Sequence, residues 1–174
     1  MSELTIIDLA QSPRYQAAAN TILRCHHDEI AYTRQNWSDM TNILNLPATE
    51  IDTDAIKRAG KSFWLILAAD VVIGFATVGM TSQLYAKAAS IYDVFIDQHY
   101  HTDAVYMDAT RLVTQRLFTL SPTIERVAYA VASEDHDKWS CLEIGFNTNV
   151  EVLVLERDLV SQPVNREIAE CQKR

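Results

Sequence analysis

The chain has 174 residues, 48% of them hydrophobic and 22% charged, and carries a formal net charge of −8. That length and composition fit one globular domain with a real core, not a disordered chain. The acidic balance argues against nucleic acid or an anionic membrane as partner, since both require a clustered positive face.

The three cysteines, Cys25, Cys141 and Cys171, have no C-x-x-C spacing and are odd in number, so neither a disulfide framework nor a zinc site is expected. Cys25-His26-His27-Asp28-Glu29 contains metal-ligand residue types, but neighbours along a helix point to different sides, and no metal is expected there. The first residues contain Glu3 and Asp8 and no basic cluster, unlike a secretory leader. The longest apolar run, Phe63 to Met80, is broken by Asp70 and two glycines and reads as paired strands. A reducing, cytoplasmic setting is the expectation.

In chain order, Leu4 to Leu9 is a short apolar strand. Ser12-Pro13 starts a helix, with serine as N-cap and proline at the first helical position. Tyr15, Ala18, Ala19, Ile22, Leu23 and Ile30 form one apolar face of it. A second helix is expected over Trp37 to Leu44, and a third over Thr53 to Ala59, closed by Gly60. Ser62 to Ala69 and Val71 to Met80 read as a hairpin turning at Asp70.

Ala88 to Ile96 is a further strand, with Ile91, Asp93 and Phe95 on one face and Tyr92, Val94 and Ile96 on the other. Asp103 to Leu120 is a long helix with a stripe of Val105, Ala109, Leu112, Val113 and Leu117. Ile124 to Ala132 is a strand, Asp135 to Ile144 a helix closed by Gly145, and Val150 to Arg157 a last strand. The expected class is α+β: a three-layer α/β/α domain over residues 1–160, with a mixed, mostly antiparallel central sheet covered by helices on both faces. Residues 161–174 form a polar tail.

Two motifs in this order carry a resemblance. Ala89-Ser90-Ile91-Tyr92-Asp93-Val94-Phe95-Ile96-Asp97 leads through a loop into a long helix, and Trp139-Ser140-Cys141-Leu142-Glu143-Ile144-Gly145-Phe146 is a helix closing on a glycine-phenylalanine pair. Together with the element order they resemble the GNAT superfamily of acyl-CoA-dependent N-acetyltransferases, over Leu4 to Leu159. The resemblance implies acetyl-CoA as co-substrate and a small-molecule or peptide amine as acceptor; a homodimer is the assembly considered.

An extended pantetheine arm can pair like a strand with the groups left open between two splaying strands, here Tyr92 to Ile96 and Val127 to Val131. The pyrophosphate needs backbone N–H donors at a helix N-terminus, where His99 to Ala104 lie. The cofactor-binding set implied is Val94, Phe95, Ile96, His101, Thr102, Asp103, Ala104, Val105 and Glu134. Asp93 is the candidate to bind or deprotonate the amine, the N–H of Val94 or Phe95 to polarise the thioester, and Cys141 to protonate the thiolate. Tyr32, Trp37 and Tyr92 are the substrate candidates.

The sequence departs from the family pattern in the loop. No glycine lies between Phe95 and Leu120; Thr102 and Ala104 stand where the family places glycines, and Asp103 puts a carboxylate beside the phosphates unless it serves as the helix cap. A non-catalytic module of the same fold, binding a ligand or protein through a degenerate cofactor loop, is therefore the alternative reading.

Overall fold

A computed structural model describes residues 3–33, 51–80, 88–129, 141–149 and 152–156, with backbone alone at 27–33, 80, 147–149 and 152–156. Strand β1 (Leu4–Asp8) leads through two 3-10 turns into helix α1 (Gln16–Thr33). Helix α2 (Thr53–Arg58) precedes strands β2 (Lys61–Ala68), β3 (Val71–Met80) and β4 (Ala88–Ile96). Helix α3 (Asp103–Leu120) and strands β5 (Arg126–Tyr129), β6 (Asn147–Asn149) and β7 (Val152–Glu156) follow. The helix expected over Trp37 to Leu44 lies outside the described residues.

The strands form one sheet in the order β1-β2-β3-β4-β5-β7-β6. Its pairs are antiparallel except β4 with β5, which run parallel. The α+β three-layer expectation is therefore met. Strand alternation divides β2 between the two sides: Trp64 and Ile66 join a core with α3, whereas Phe63, Leu65 and Leu67 join one with α1 and α2. On the α1 side Phe63 stacks on Phe75 with ring centres 4.7 Å apart, and Phe75 lies 5.6 Å from Phe95. Burying three such rings contributes about 1.5–3 kcal/mol each. Two amides of α1 fix where the chain re-enters this core: Gln16 Nε2 donates to the Ile51 carbonyl, and the Ile51 N–H donates to Asn20 Oδ1.

Four expectations are corrected. Helix start is the first: the Ser12 side chain makes no capping bond, and Pro13–Tyr15 is a 3-10 turn before α1 proper. A second concerns α3, whose buried face is Tyr106, Ala109, Thr110, Val113, Thr114, Leu117 and Phe118, while Val105 and Leu112 are only half-buried. The stripe is rotated because polar-tipped Tyr106 and the short threonines are accepted by the core where a purely apolar reading passes over them. Third, the chain after Phe146 makes a strand, β6, which the expected element order does not include. Asn147 and Asn149 have low strand propensity, and it is pairing with β7 that recruits them.

The fourth correction moves the site. Thr77 pairs with Asp93 but Val78 pairs with Ile91, so Tyr92 is an extra residue on β4. This bulge resets the alternation. Ile91 consequently shares the α3 core with Val94 and Ile96, while Phe95 packs on the α1 side. Ile91 and Phe95 do not share a face.

Candidate functional site

The site grows from the half of β4 beyond its bulge. Pairing with β5 runs from Ala88↔Arg126 to Ile91↔Tyr129, and β4 continues to Ile96. Three residues past the end of that register, at ~3.3 Å per residue, the Val94 N–H donates to the Tyr129 hydroxyl at 3.1 Å. The described partner of this strand amide is thus a side-chain hydroxyl. The Tyr129 hydroxyl is also 2.8 Å from the hydroxyl of Tyr106 on α3. Both tyrosines are buried, so the two hydroxyls and the N–H form a polar chain inside an otherwise apolar cluster.

On the other face of β4, Asp93 Oδ2 lies 2.8 Å from His26 Nε2 of α1, with side chains 14% and 11% exposed. The two atoms touch without the alignment of an ideal hydrogen bond. The imidazole is held edge-on between Phe75 and Phe95, at 5.0 and 4.8 Å between ring centres. Aromatic edges and a bulge-displaced strand thus fix an acidic group on the α1 side of β4.

Asp97 ends β4 and builds the loop that follows. Its Oδ1 accepts from the His99 backbone N–H at 2.9 Å and contacts His99 Nδ1 at 2.7 Å, while its carbonyl accepts from Tyr100 N–H. Burial pushes the Asp97 carboxyl up, but the His99 backbone and imidazole, together with the Cys25 thiol, outweigh it and hold the group below the ordinary carboxylate value. His99 is therefore tied to Asp97. His101 sits against Tyr106, ring centres 5.8 Å apart.

The N-cap of α3 is Thr102, not Asp103: the Thr102 hydroxyl accepts from Val105 N–H at 3.2 Å, and Asp103 is the first helical residue. Threonine at this position bonds a first-turn N–H that the helix itself leaves open, and Asp103 is compatible with the macrodipole's positive end. Asp103 and His101 are exposed, and Ala104 and Val105 are half-buried.

The remaining candidates divide as follows. The side chains of Phe95 and Ile96 are core, which leaves their backbone as the part able to meet a ligand. Cys141 is buried in the cluster that holds Val94, Tyr106 and Tyr129. Its helix closes on Gly145 at φ 102, a value that suits glycine, with Gly145 N–H donating to Leu142 O and Phe146 N–H to Cys141 O. Tyr92, the bulge residue, lies over Gly79, where a Cβ would meet its ring at 2.9 Å. Lys61 Nζ stands 4.2 Å from the Tyr92 ring centre, and burial pushes that ammonium below its ordinary value. Trp37, Glu134 and the side chain of Tyr32 lie outside the described residues.

Sequence reasoning missed three residues. His26 was read only as a metal-type residue, although it follows Ala19, Ile22 and Leu23 at the spacing of the buried face of α1. Tyr106 and Tyr129 were passed over because a single tyrosine on a core face carries no local signal for its hydroxyl partner. Among the described residues, no group of three or more His, Cys, Asp or Glu side chains is arranged to hold a metal ion, and no helix is long and apolar enough to cross a membrane.

No family model and no curated protein matches the sequence. Solved structures do match. RimJ from Mycobacterium smegmatis, in complex with CoA-disulfide, superposes with a TM-score of 0.64 at 12% identity, over 97% of this chain and 89% of that one. Aminoglycoside acetyltransferase AAC(6')-Ib, in complex with coenzyme A, gives 0.67 at 11% identity, over 90% and 96%. The PaiA N-acetyltransferase of Thermoplasma acidophilum, also in complex with coenzyme A, gives 0.53 at 14% identity, over 87% and 96%. The chain has the fold of the GNAT acetyltransferases.

Proposed function

We propose that the chain is an acyl-CoA-dependent N-acetyltransferase that passes an acetyl group from acetyl-CoA to the amine of a small molecule or peptide. One observation carries the reading: beside α3, the Val94 N–H of β4 donates to a side-chain hydroxyl, that of Tyr129, whose place a thioester carbonyl can take. The fold shared with proteins solved holding coenzyme A supports it.

In this reading the thioester carbonyl takes the place of the Tyr129 hydroxyl on Val94 N–H, which then stabilises the developing oxyanion. The pantetheine arm lies along the backbone of Val94, Phe95 and Ile96, and the phosphates meet the His101–Val105 segment. Asp93 binds the acceptor amine and takes its proton. The amine nitrogen bonds to the carbonyl carbon, the C–S bond breaks, and the thiolate is reprotonated. Two groups of one buried cluster, Cys141 and Tyr129, are candidates to return that proton. Tyr129 is assigned the role, because its hydroxyl already touches the amide that the thioester must reach.

The same contact favours a second reading, a non-catalytic module of this fold in which Tyr129 permanently holds the Val94 N–H. Calorimetric titration with acetyl-CoA and with coenzyme A separates the two. Micromolar binding of either, followed by acetylation of members of an amine panel, supports the transferase. Absence of heat and of thermal stabilisation with both ligands would remove it.

A further inference from the structure

We infer that His26 is the positioning residue for Asp93, and that the pair selects an acceptor entering as a protonated amine; this rests on the transferase reading above. Nothing in the chemistry of acetyl transfer by itself requires a histidine on α1. The geometry does. His26 Nε2 lies 2.8 Å from Asp93 Oδ2, close enough that a small turn of the imidazole places a proton on the line between them. That oxygen is shut off from solvent, so the residual 14% exposure of the Asp93 side chain belongs to the rest of it. Held through Oδ2, the carboxylate keeps Oδ1 as the atom able to meet a cationic group.

The imidazole cannot swing away freely, because Phe75 and Phe95 pack against it from the sheet. Among the described residues, the polar and titratable groups along this face include Cys25 and His26 from α1, Asp93 and Asp97 from β4, and Thr77 from β3 opposite Asp93. None of these five is a lysine or arginine. A carboxylate whose described partner is a single imidazole nitrogen, not a two-pronged guanidinium, keeps its second oxygen for an incoming ammonium. Binding the ammonium there brings the nitrogen beside the thioester, and Asp93 then receives the proton that must leave before the C–N bond forms.

Two substitutions separate positioning from mere packing. His26→Phe keeps an aromatic ring between Phe75 and Phe95 and removes the donor; His26→Gln keeps a donor and loses the ring. With acetyl-CoA saturating, His26→Phe should raise the acceptor KM about 10-fold or more, the loss expected for a hydrogen bond to a charged group. Its acetyl-CoA affinity should stay unchanged, and His26→Gln should recover most of the acceptor KM. A folded His26→Phe protein with wild-type acceptor KM overturns the inference and leaves the transferase reading intact. Wild-type protein that binds no acetyl-CoA removes the transferase reading instead. Long-range 1H–15N spectra of the ligand-free protein test the pair in that case too: the inference requires a proton on Nε2 that responds to Asp93→Asn, and a spectrum unaltered by that change overturns it.

Discussion

Tyr129→Phe isolates the contact on which the functional reading turns. In the free protein the Tyr129 hydroxyl accepts the Val94 N–H at 3.1 Å in a buried setting. Deleting one oxygen leaves the ring in place and the N–H without that acceptor. An unmet buried donor costs about 1–3 kcal/mol, and for a chain of this size each kcal/mol lowers Tm by ~2–4 °C. The free variant should therefore melt roughly 2–12 °C lower. The same energy enters binding with the opposite sign. In the wild type acetyl-CoA must displace the hydroxyl from the amide; in the variant the amide waits for it. Recovering ~1–2 kcal/mol corresponds to about 5–30-fold tighter acetyl-CoA binding, and the melting deficit should shrink at saturating ligand. Turnover should fall, because the proton donor to the thiolate is gone. Calorimetry for Kd, thermal melts with and without ligand, and a free-thiol assay give the three quantities. Wild-type affinity or weaker binding in a folded Tyr129→Phe protein would refute the idea that the ligand carbonyl and this hydroxyl compete for one amide.

Further outcomes follow from neighbouring residues. Cys141→Ala removes a buried sulfur and should cost ~1 kcal/mol of stability, read by urea denaturation, while turnover per folded molecule stays at the wild-type level; a collapse of turnover would move the acid role from Tyr129 to Cys141. Thr102→Ala removes the α3 cap bond to Val105 N–H and should cost about 0.5–2 kcal/mol in the same assay. Asp97 has a folded-state pKa below its unfolded one, so its stabilising contribution is complete above the unfolded carboxylate value near ~4 and is lost as pH falls through the lower folded value. Asp97→Asn should accordingly flatten part of the loss of stability on acidification below about pH 4, measured by denaturant titrations at stepped pH.

Local chemistry made much of the fold legible. The β2–β3 hairpin closes on Ala69 and Asp70, both at positive φ, where the sequence placed its turn. β4 spans Ala88–Ile96 and α3 spans Asp103–Leu120, matching the expected bounds, because each has a long run with one clear period. Asp93 could be singled out because a carboxylate inside an apolar strand is conspicuous in one dimension. The position of Thr102 at the head of α3 was legible too, although its role as the cap was assigned to its neighbour.

What the tertiary structure decided was how these elements meet. The bulge at Tyr92 depends on the register of β4 against β3, and a one-residue slip reverses every side chain beyond it without leaving a mark in the sequence of β4 itself. His26 and Asp93 are separated by 67 positions along the chain (93 − 26) and meet because α1 is laid across the sheet. Tyr129 and Val94 meet because the parallel register of β4 and β5 lays the end of the Tyr129 side chain against the later half of β4. Periodicity and propensity act over a few residues and so determine strands, helices and their buried sides; a proton shared between distant groups exists only once packing has fixed the distance between them.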